Sequence, residues 1–232
     1  MSSPFLLYIN DKCVRLRQFC TGVLSATIYK NTVMKKTFGI IGAGNIAKAI
    51  AGHLLKADHS VMLSSRRNPS DLEGSLALSG AKAGTPAEAA QADIVILALP
   101  WNQLSTLTAL TDWNDRIVID ATNHFVSFAP DFQVADLGGR ASSEVVADHV
   151  PGARLVKAFN TLYFKVLEAD PKEAIGKRVI FLSGDHTDTK KVVGAAIESL
   201  GFSVIDLGTL ATGSKLQQAK GPLASLNLVR KD

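Results

Sequence analysis

Thr37-Phe38-Gly39-Ile40-Ile41-Gly42-Ala43-Gly44-Asn45-Ile46-Ala47 is the stretch that decides the fold. Its first five residues form a short apolar run of strand type, and Asn45 to Ala57 is rich in Ala and Leu at helical spacing. Between them stands G-x-G-x-x-A, the fingerprint of a strand that turns sharply into a helix. Gly42 permits the tight turn, Gly44 lets a ligand approach the backbone, and Ala47 keeps the helix close to the sheet. With Ala43, Asn45 and Ile46, these residues put the N–H groups and positive dipole end of a helix where a pyrophosphate is received.

The next strand, His59 to Ser64, ends in Leu63-Ser64-Ser65-Arg66-Arg67. A fold built for NAD places a carboxylate here, roughly 20 residues beyond the glycines, to hold the ribose 2′-hydroxyl. This chain has none. Two guanidinium groups and the hydroxyls of Ser64 and Ser65 instead suit a 2′-phosphate, which makes NADP(H) the expected dinucleotide. The alternative for Arg66 and Arg67 is a solvated turn. Leu99-Pro100-Trp101 closes a later apolar strand, where ligands of open α/β sheets bind. The backbone of Leu99 and Pro100 is expected at the ligand, and Trp101 either walls the cleft or packs into the core.

Beyond this core, apolar runs at 93–99, 116–120, 154–158, 178–183 and 202–206 alternate with helical stretches at 69–79, 85–91, 142–149, 161–169 and 186–200. Thr85 followed by Pro86 is a helix start. The expected fold class is α/β, a doubly wound parallel sheet of Rossmann type with a small C-terminal α/β annex. Residues 123–139 fit no regular element and read as a long loop beside the binding edge. The expected division is an N-terminal extension at 1–35, an NADP-binding domain at 36–150, and strands and helices at 151–232 that complete an acceptor site.

Composition bounds the rest. Hydrophobic residues at 47% and charged residues at 20% indicate a globular chain. No apolar run is long enough to span a membrane. Of the net charge of +4, three units come from residues 1–33, where Lys12, Arg15, Arg17 and Lys30 face one acid, Asp11. A basic surface for nucleic acid is therefore not expected on the folded domain. Both cysteines, Cys13 and Cys20, lie in the same segment, so neither a disulfide framework nor a cysteine-ligated metal is expected to support the fold. The expected compartment is the cytoplasm. The extension reads as dispensable, with translation beginning at Met34, or as an acid-poor targeting peptide. The five histidines are scattered, and no metal site, G-x-S-x-G elbow or G-K-[ST] loop is seen.

Taken in order, Gly42 to Ile46, Ser65-Arg66-Arg67, Leu99-Pro100-Trp101, Ser143-Glu144-Val145-Val146, Ala158 to Leu162, Ser183-Gly184-Asp185 and Asp206-Leu207-Gly208 resemble the NADPH-dependent coenzyme F420 reductase family. A looser resemblance extends to the cytosolic NADPH-binding domain of six-transmembrane metalloreductases. The resemblance implies that Gly42, Gly44, Asn45 and Ile46 bind the pyrophosphate and that Ser65, Arg66 and Arg67 bind the 2′-phosphate. It also implies that Ala158 contacts the NADP(H), that hydride passes to a flavin or deazaflavin covered by the small C-terminal part, and that the chain forms a homodimer. Such a transfer requires positioning more than acid–base help, so no catalytic residue is assigned. The chain departs from the family where the acceptor is lined: Asn160-Thr161-Leu162-Tyr163 replaces a His-Thr-Ile-Pro segment, and Asn160 and Tyr163 are expected to face the acceptor. Two other readings stay open, a pyrroline-carboxylate-reductase or hydroxyacid-dehydrogenase type of enzyme, and a non-catalytic NADPH sensor.

Overall fold

The computed structural model describes residues 6–9, 12–18, 24–29, 36–66, 68–73, 80–128 and 130–231. The chain divides into two units, Met1–Lys35 and Lys36–Asp232. In the first, strands β1 (Leu6–Ile9), β2 (Lys12–Gln18) and β3 (Leu24–Tyr29) pair as an antiparallel meander, with Cys13 in register with Tyr8 on one side and Tyr29 on the other. Cys20 lies outside the described residues.

The second unit begins with β4 (Thr37–Ile41), α1 (Asn45–Lys56), β5 (Ser60–Ser64), α2 (Pro69–Glu73), β6 (Lys82–Gly84), α3 (Pro86–Ala89) and β7 (Ile94–Leu97). A 3-10 turn at Trp101–Thr106 leads to β8 (Ile117–Asp120), α4 (Ser142–His149), β9 (Arg154–Ala158) and α5 (Phe164–Glu168). The chain closes with β10 (Lys172–Glu173), β11 (Gly176–Gly184), α6 (Thr187–Ser199), β12 (Ser203–Asp206), α7 (Leu210–Gln217) and β13 (Val229–Lys231). Thr85 caps α3 through a reciprocal capping box with Glu88, as its place before Pro86 implied.

Strands β6, β5, β4, β7, β8 and β9 lie side by side in that order, each parallel to its neighbours. This is the Rossmann-type sheet expected from the alternation of elements, with its reversal of strand order between β4 and β7. The annex continues the same sheet. There β11 runs antiparallel to β9, and β12 runs parallel to β11, so the sheet is mostly rather than wholly parallel.

Each central strand feeds two cores. Ile40, Ile94, Ile96, Ile119 and Val156 point to one face and pack with Ile50 and Leu54 of α1 and Val193 and Ile197 of α6. Ile41, Val95, Leu97, Val118 and Leu155 point to the other, with Leu104, Trp113, Val146 and Leu210. Burial on both faces explains why these strands read as unbroken apolar runs rather than as alternating ones. Among the described residues no helix is long and apolar enough to cross a membrane.

Candidate functional site

The binding edge is built around the turn from β4 into α1. Gly42 has φ +131°, and a Cβ on it would stand 2.1 Å from the carbonyl oxygen of Ala98. Its N–H donates to the Ser64 carbonyl at 2.8 Å, while the Ala98 N–H donates to the Ile41 carbonyl at 2.9 Å. The turn is thus wedged between the ends of β5 and β7, and only glycine fits. Gly44 differs in kind: its φ is −77°, and a Cβ there would meet nothing within 4 Å. Nothing among the described residues requires a glycine at Gly44, and the missing side chain leaves the backbone open to approach at this point.

Gly44 is the N-cap of α1, no side chain caps the helix, and its first turn carries no acid. The first intrahelical bond runs from the Lys48 N–H to the Gly44 carbonyl at 3.0 Å, so the N–H groups of Asn45, Ile46 and Ala47 have no partner within the helix. Asn45 is exposed and Ala43 and Ile46 are half-buried, while Ala47 is sealed against the sheet. The result is an uncapped positive helix end above an empty surface, which suits a pyrophosphate.

At the end of β5 the expected residues take different places. Ser64 is fully buried; its hydroxyl donates to the Ile40 carbonyl at 3.0 Å, and its own carbonyl holds Gly42. It therefore fastens the glycine turn from behind and does not offer its hydroxyl to a phosphate. Ser65 is half-buried and Arg66 exposed at the open edge. Arg67 lies outside the described residues.

Across the switch point, Leu99 is buried, Pro100 is exposed, and Pro100 is the N-cap of the 3-10 turn that Trp101 opens. Half-buried Trp101 meets the ring of His124 edge-on, with centroids 5.9 Å apart and planes at 66°. His124 ends the segment leaving β8 and is itself buried. Burial, aided by the ammonium groups of Lys157 and Lys220, pushes its imidazole below the usual histidine pKa.

Beneath this rim lies a polar network that sequence reasoning missed. Asp120 and Lys157, at neighbouring positions of β8 and β9, form a fully buried ion pair at 3.0 Å. The second carboxylate oxygen of Asp120 accepts the N–H and hydroxyl of Thr122 at 2.8 and 2.7 Å, and Ser143 of α4 donates to the first at 2.5 Å. Lys157 also donates to the Thr122 carbonyl at 3.1 Å. The detectable signal was an acid, Asp120, at the end of the apolar run of β8, and a base, Lys157, between the apolar residues Leu155, Val156 and Ala158 of β9.

The network continues into the expected acceptor region. The side-chain amide of Asn160 donates to Asn123 Oδ1 at 3.1 Å and to the Gln217 carbonyl at 2.6 Å, and its oxygen accepts from Gln217 Nε2 at 3.0 Å. Asn123 in turn donates to the Asn160 carbonyl at 2.9 Å, and Ser183 to Gln217 Oε1 at 3.1 Å. Asn160 is buried with both ends of its amide occupied, which corrects its expected place facing the acceptor: it clasps three segments together. Tyr163 is 58% exposed beside Phe164, so it is not core packing. Ala158 is fully buried at the end of β9. Among the described residues no three His, Cys, Asp or Glu side chains are placed to hold a metal.

Comparison with known proteins gives this arrangement its family. Residues 37–124 match the family described as NADP oxidoreductase, coenzyme F420-dependent. A solved structure from Sinorhizobium meliloti, hypothetical protein SMa0349, is 43% identical, with 84% of this chain and 96% of that one covered at a TM-score of 0.78. The chain belongs to the coenzyme F420-dependent NADP oxidoreductase family. That family is described as one of NADP oxidoreductases. Within the same fold, a protein proposed to be an F420-dependent NADP-reductase of Arthrobacter sp. FB24 is 23% identical over 75% of this chain and 86% of its own, at a TM-score of 0.64. Metalloreductase STEAP3 of Rattus norvegicus is 28% identical over 181 residues, 77% of this chain. The chain spans 35% of that relative's length.

Proposed function

We propose that this chain passes hydride between NADP(H) and a flavin- or deazaflavin-like small-molecule acceptor. The observation that carries the reading is the combination at α1: an uncapped helix end, and a Gly44 whose missing side chain leaves the backbone open to a ligand. The pyrophosphate belongs on the N–H groups of Asn45, Ile46 and Ala47, with Gly42 and Ala43 forming the turn beneath it. Ser65, Arg66 and Arg67 are assigned to the 2′-phosphate, with Ser64 as the residue that sets the turn. Bound NADPH supplies a hydride donor. Leu99, Pro100 and Trp101 border the nicotinamide half of the cleft, and exposed Tyr163 borders the acceptor.

What the protein contributes is position and exclusion of water. The Asp120–Lys157 and Asn123–Asn160–Gln217 contacts hold the segments leaving β8 and β9 against each other and against the end of α7. Transfer between two flat rings depends on spacing held in this way more than on a proton donor. Stopped-flow absorbance at the reduced-nicotinamide band, with FMN, a deazaflavin or a quinone added in turn, tests the reading. Acceptor-dependent loss of NADPH is expected; tight NADPH binding with no oxidation by any of the three would overturn it in favour of a cofactor sensor.

A further inference from the structure

The N-terminal end of α1 faces the binding edge, and its C-terminal end borders a second opening. His53 and Lys56 of α1, Asp170 and Pro171 ahead of β10, and Ser199 of α6 line an open cleft. Its volume is about 190 Å³, the share of roughly six waters in bulk. Lys56 stands twelve residues beyond Gly44, about 18 Å along the helix, so this cleft is not part of the dinucleotide site. Its wall is fastened from within. Buried Arg178 donates from its guanidinium to the Asp170 carbonyl at 2.8 Å and from its backbone N–H to the Pro171 carbonyl at 2.7 Å.

His53 is 5% exposed and lies on the buried face of α1, where an aliphatic side chain would serve packing alone. Phe202 meets its ring edge-on at 5.1 Å, and Nε2 lies 2.6 Å from the Leu167 carbonyl of α5. A carbonyl oxygen only accepts, so Nε2 carries the ring proton. Burial above all, helped by the charges of Lys56 and Arg178, holds the imidazole below the usual histidine pKa against the opposite pull of the Leu167 carbonyl and Asp170. The ring is therefore neutral at pH 7, and Nδ1 is a bare acceptor. The bond to α5 accounts for one nitrogen only. Nδ1 has no partner among the described residues and is not sealed from the surface, and the opening in whose wall His53 stands is this cleft.

Two further acceptors share the cleft. Asp170 accepts the Lys172 N–H on Oδ1 at 2.9 Å, which leaves Oδ2 free of the described residues. Ser199 donates its hydroxyl proton to the Ala196 carbonyl at 2.6 Å and keeps its lone pairs. The cation of the lining is exposed Lys56. Among the described residues neither Lys56 nor Asp170 belongs to an ion pair, although both border the same opening. Three acceptors, one of them anionic, match the three N–H donors of an ammonium group, and the Lys56 ammonium matches a carboxylate.

We propose that this cleft is a second ligand site, for a small zwitterion of the α-amino acid class, whose ammonium meets His53 Nδ1, Asp170 and Ser199 and whose carboxylate meets Lys56. The site stands apart from the hydride-transfer reading, since it uses none of the residues assigned to NADP(H) or the acceptor.

Nitrogen-15 histidine NMR of the full chain, titrated with L-alanine and with L-valine, tests this, with acetate and ethylamine as probes of each charge alone. The expected result is a neutral Nε2–H tautomer for His53 at pH 7 whose Nδ1 resonance moves with either amino acid and hardly at all with acetate or ethylamine. Calorimetric affinity for the amino acid that binds should fall roughly tenfold or more in Lys56→Gln and in Asp170→Asn, with NADP⁺ affinity kept within about twofold. Both positions are exposed, and asparagine keeps an oxygen for the Lys172 N–H. A proton on Nδ1, no response of His53 to either amino acid, an equal response to acetate or ethylamine, or an unchanged amino-acid affinity in either variant overturns the inference. Each of these results leaves the hydride-transfer reading standing.

Discussion

The two halves of the binding edge are made in opposite ways. The half around Gly42, Gly44 and α1 works through what is absent: no Cβ at two positions, no cap on the helix, no acid in its first turn. The half around β8, β9 and α7 works through side chains already joined to one another, from the Asp120–Lys157 pair to the Asn123–Asn160–Gln217 clasp. The first half leaves polar backbone groups open for a ligand to satisfy. The second satisfies most of its own groups and uses them to fix distances, with His124 Nδ1 and the hydroxyls of Ser142 and Ser214 left over. On the proposed function the first half binds and the second positions.

The largest effect expected from this contrast is on stability, in the positioning half. Lys157→Met strands the Asp120 carboxylate in a fully buried site, a loss of about 3–5 kcal/mol. That is a large part of the roughly 5–15 kcal/mol by which a domain of this kind is stable. Denaturant unfolding should show it, and Asp120→Asn added to Lys157→Met should recover part of the loss, since the pair is then neutral. A fall below about 1 kcal/mol for Lys157→Met would mean that the network is not the clamp described.

The binding half should answer in the reverse sense. Gly44→Val puts a side chain into empty space at an ordinary φ, so its stability cost stays near the roughly 1 kcal/mol of a poorer N-cap. NADPH affinity should fall on the order of a hundredfold, about 2.7 kcal/mol, because the branched side chain occupies the approach to the helix end. Calorimetric titration with a parallel melting curve separates the two quantities. If Gly44→Val binds NADPH like the wild type, the void above α1 is not a ligand site.

The same contrast explains what could be read from the residues alone. The glycine half is local: a strand, a turn and a helix within Thr37–Lys56, whose physics is carried by neighbouring residues. The capped start of α3 at Thr85 and the helix Ser142–His149 were legible for the same reason. The positioning half joins residues 23 to 60 positions apart, and pairing at such separations leaves no periodic trace. Helix α5 shows the consequence. A start at residue 161 was expected, but Asn160 is drawn into the clasp and the Thr161 carbonyl accepts the Ser225 N–H at 2.8 Å, so the helix begins at Phe164. The antiparallel course of β11 was illegible because a strand's own residues do not encode the direction of its neighbour. Helix α7, which supplies Gln217, was missed because its short amphipathic pattern is weak beside the stronger runs around it.

The central claim is that the open edge beside Gly44 receives a dinucleotide with a phosphorylated adenosine ribose, and Arg66 tests it most directly. Dissociation constants for NADPH and NADH, measured on the wild type and on Arg66→Glu, should show a wild-type preference for NADPH that falls roughly ten- to hundredfold in the variant, with NADH little affected. Equal losses for the two nucleotides, or no wild-type preference at all, would contradict the assignment.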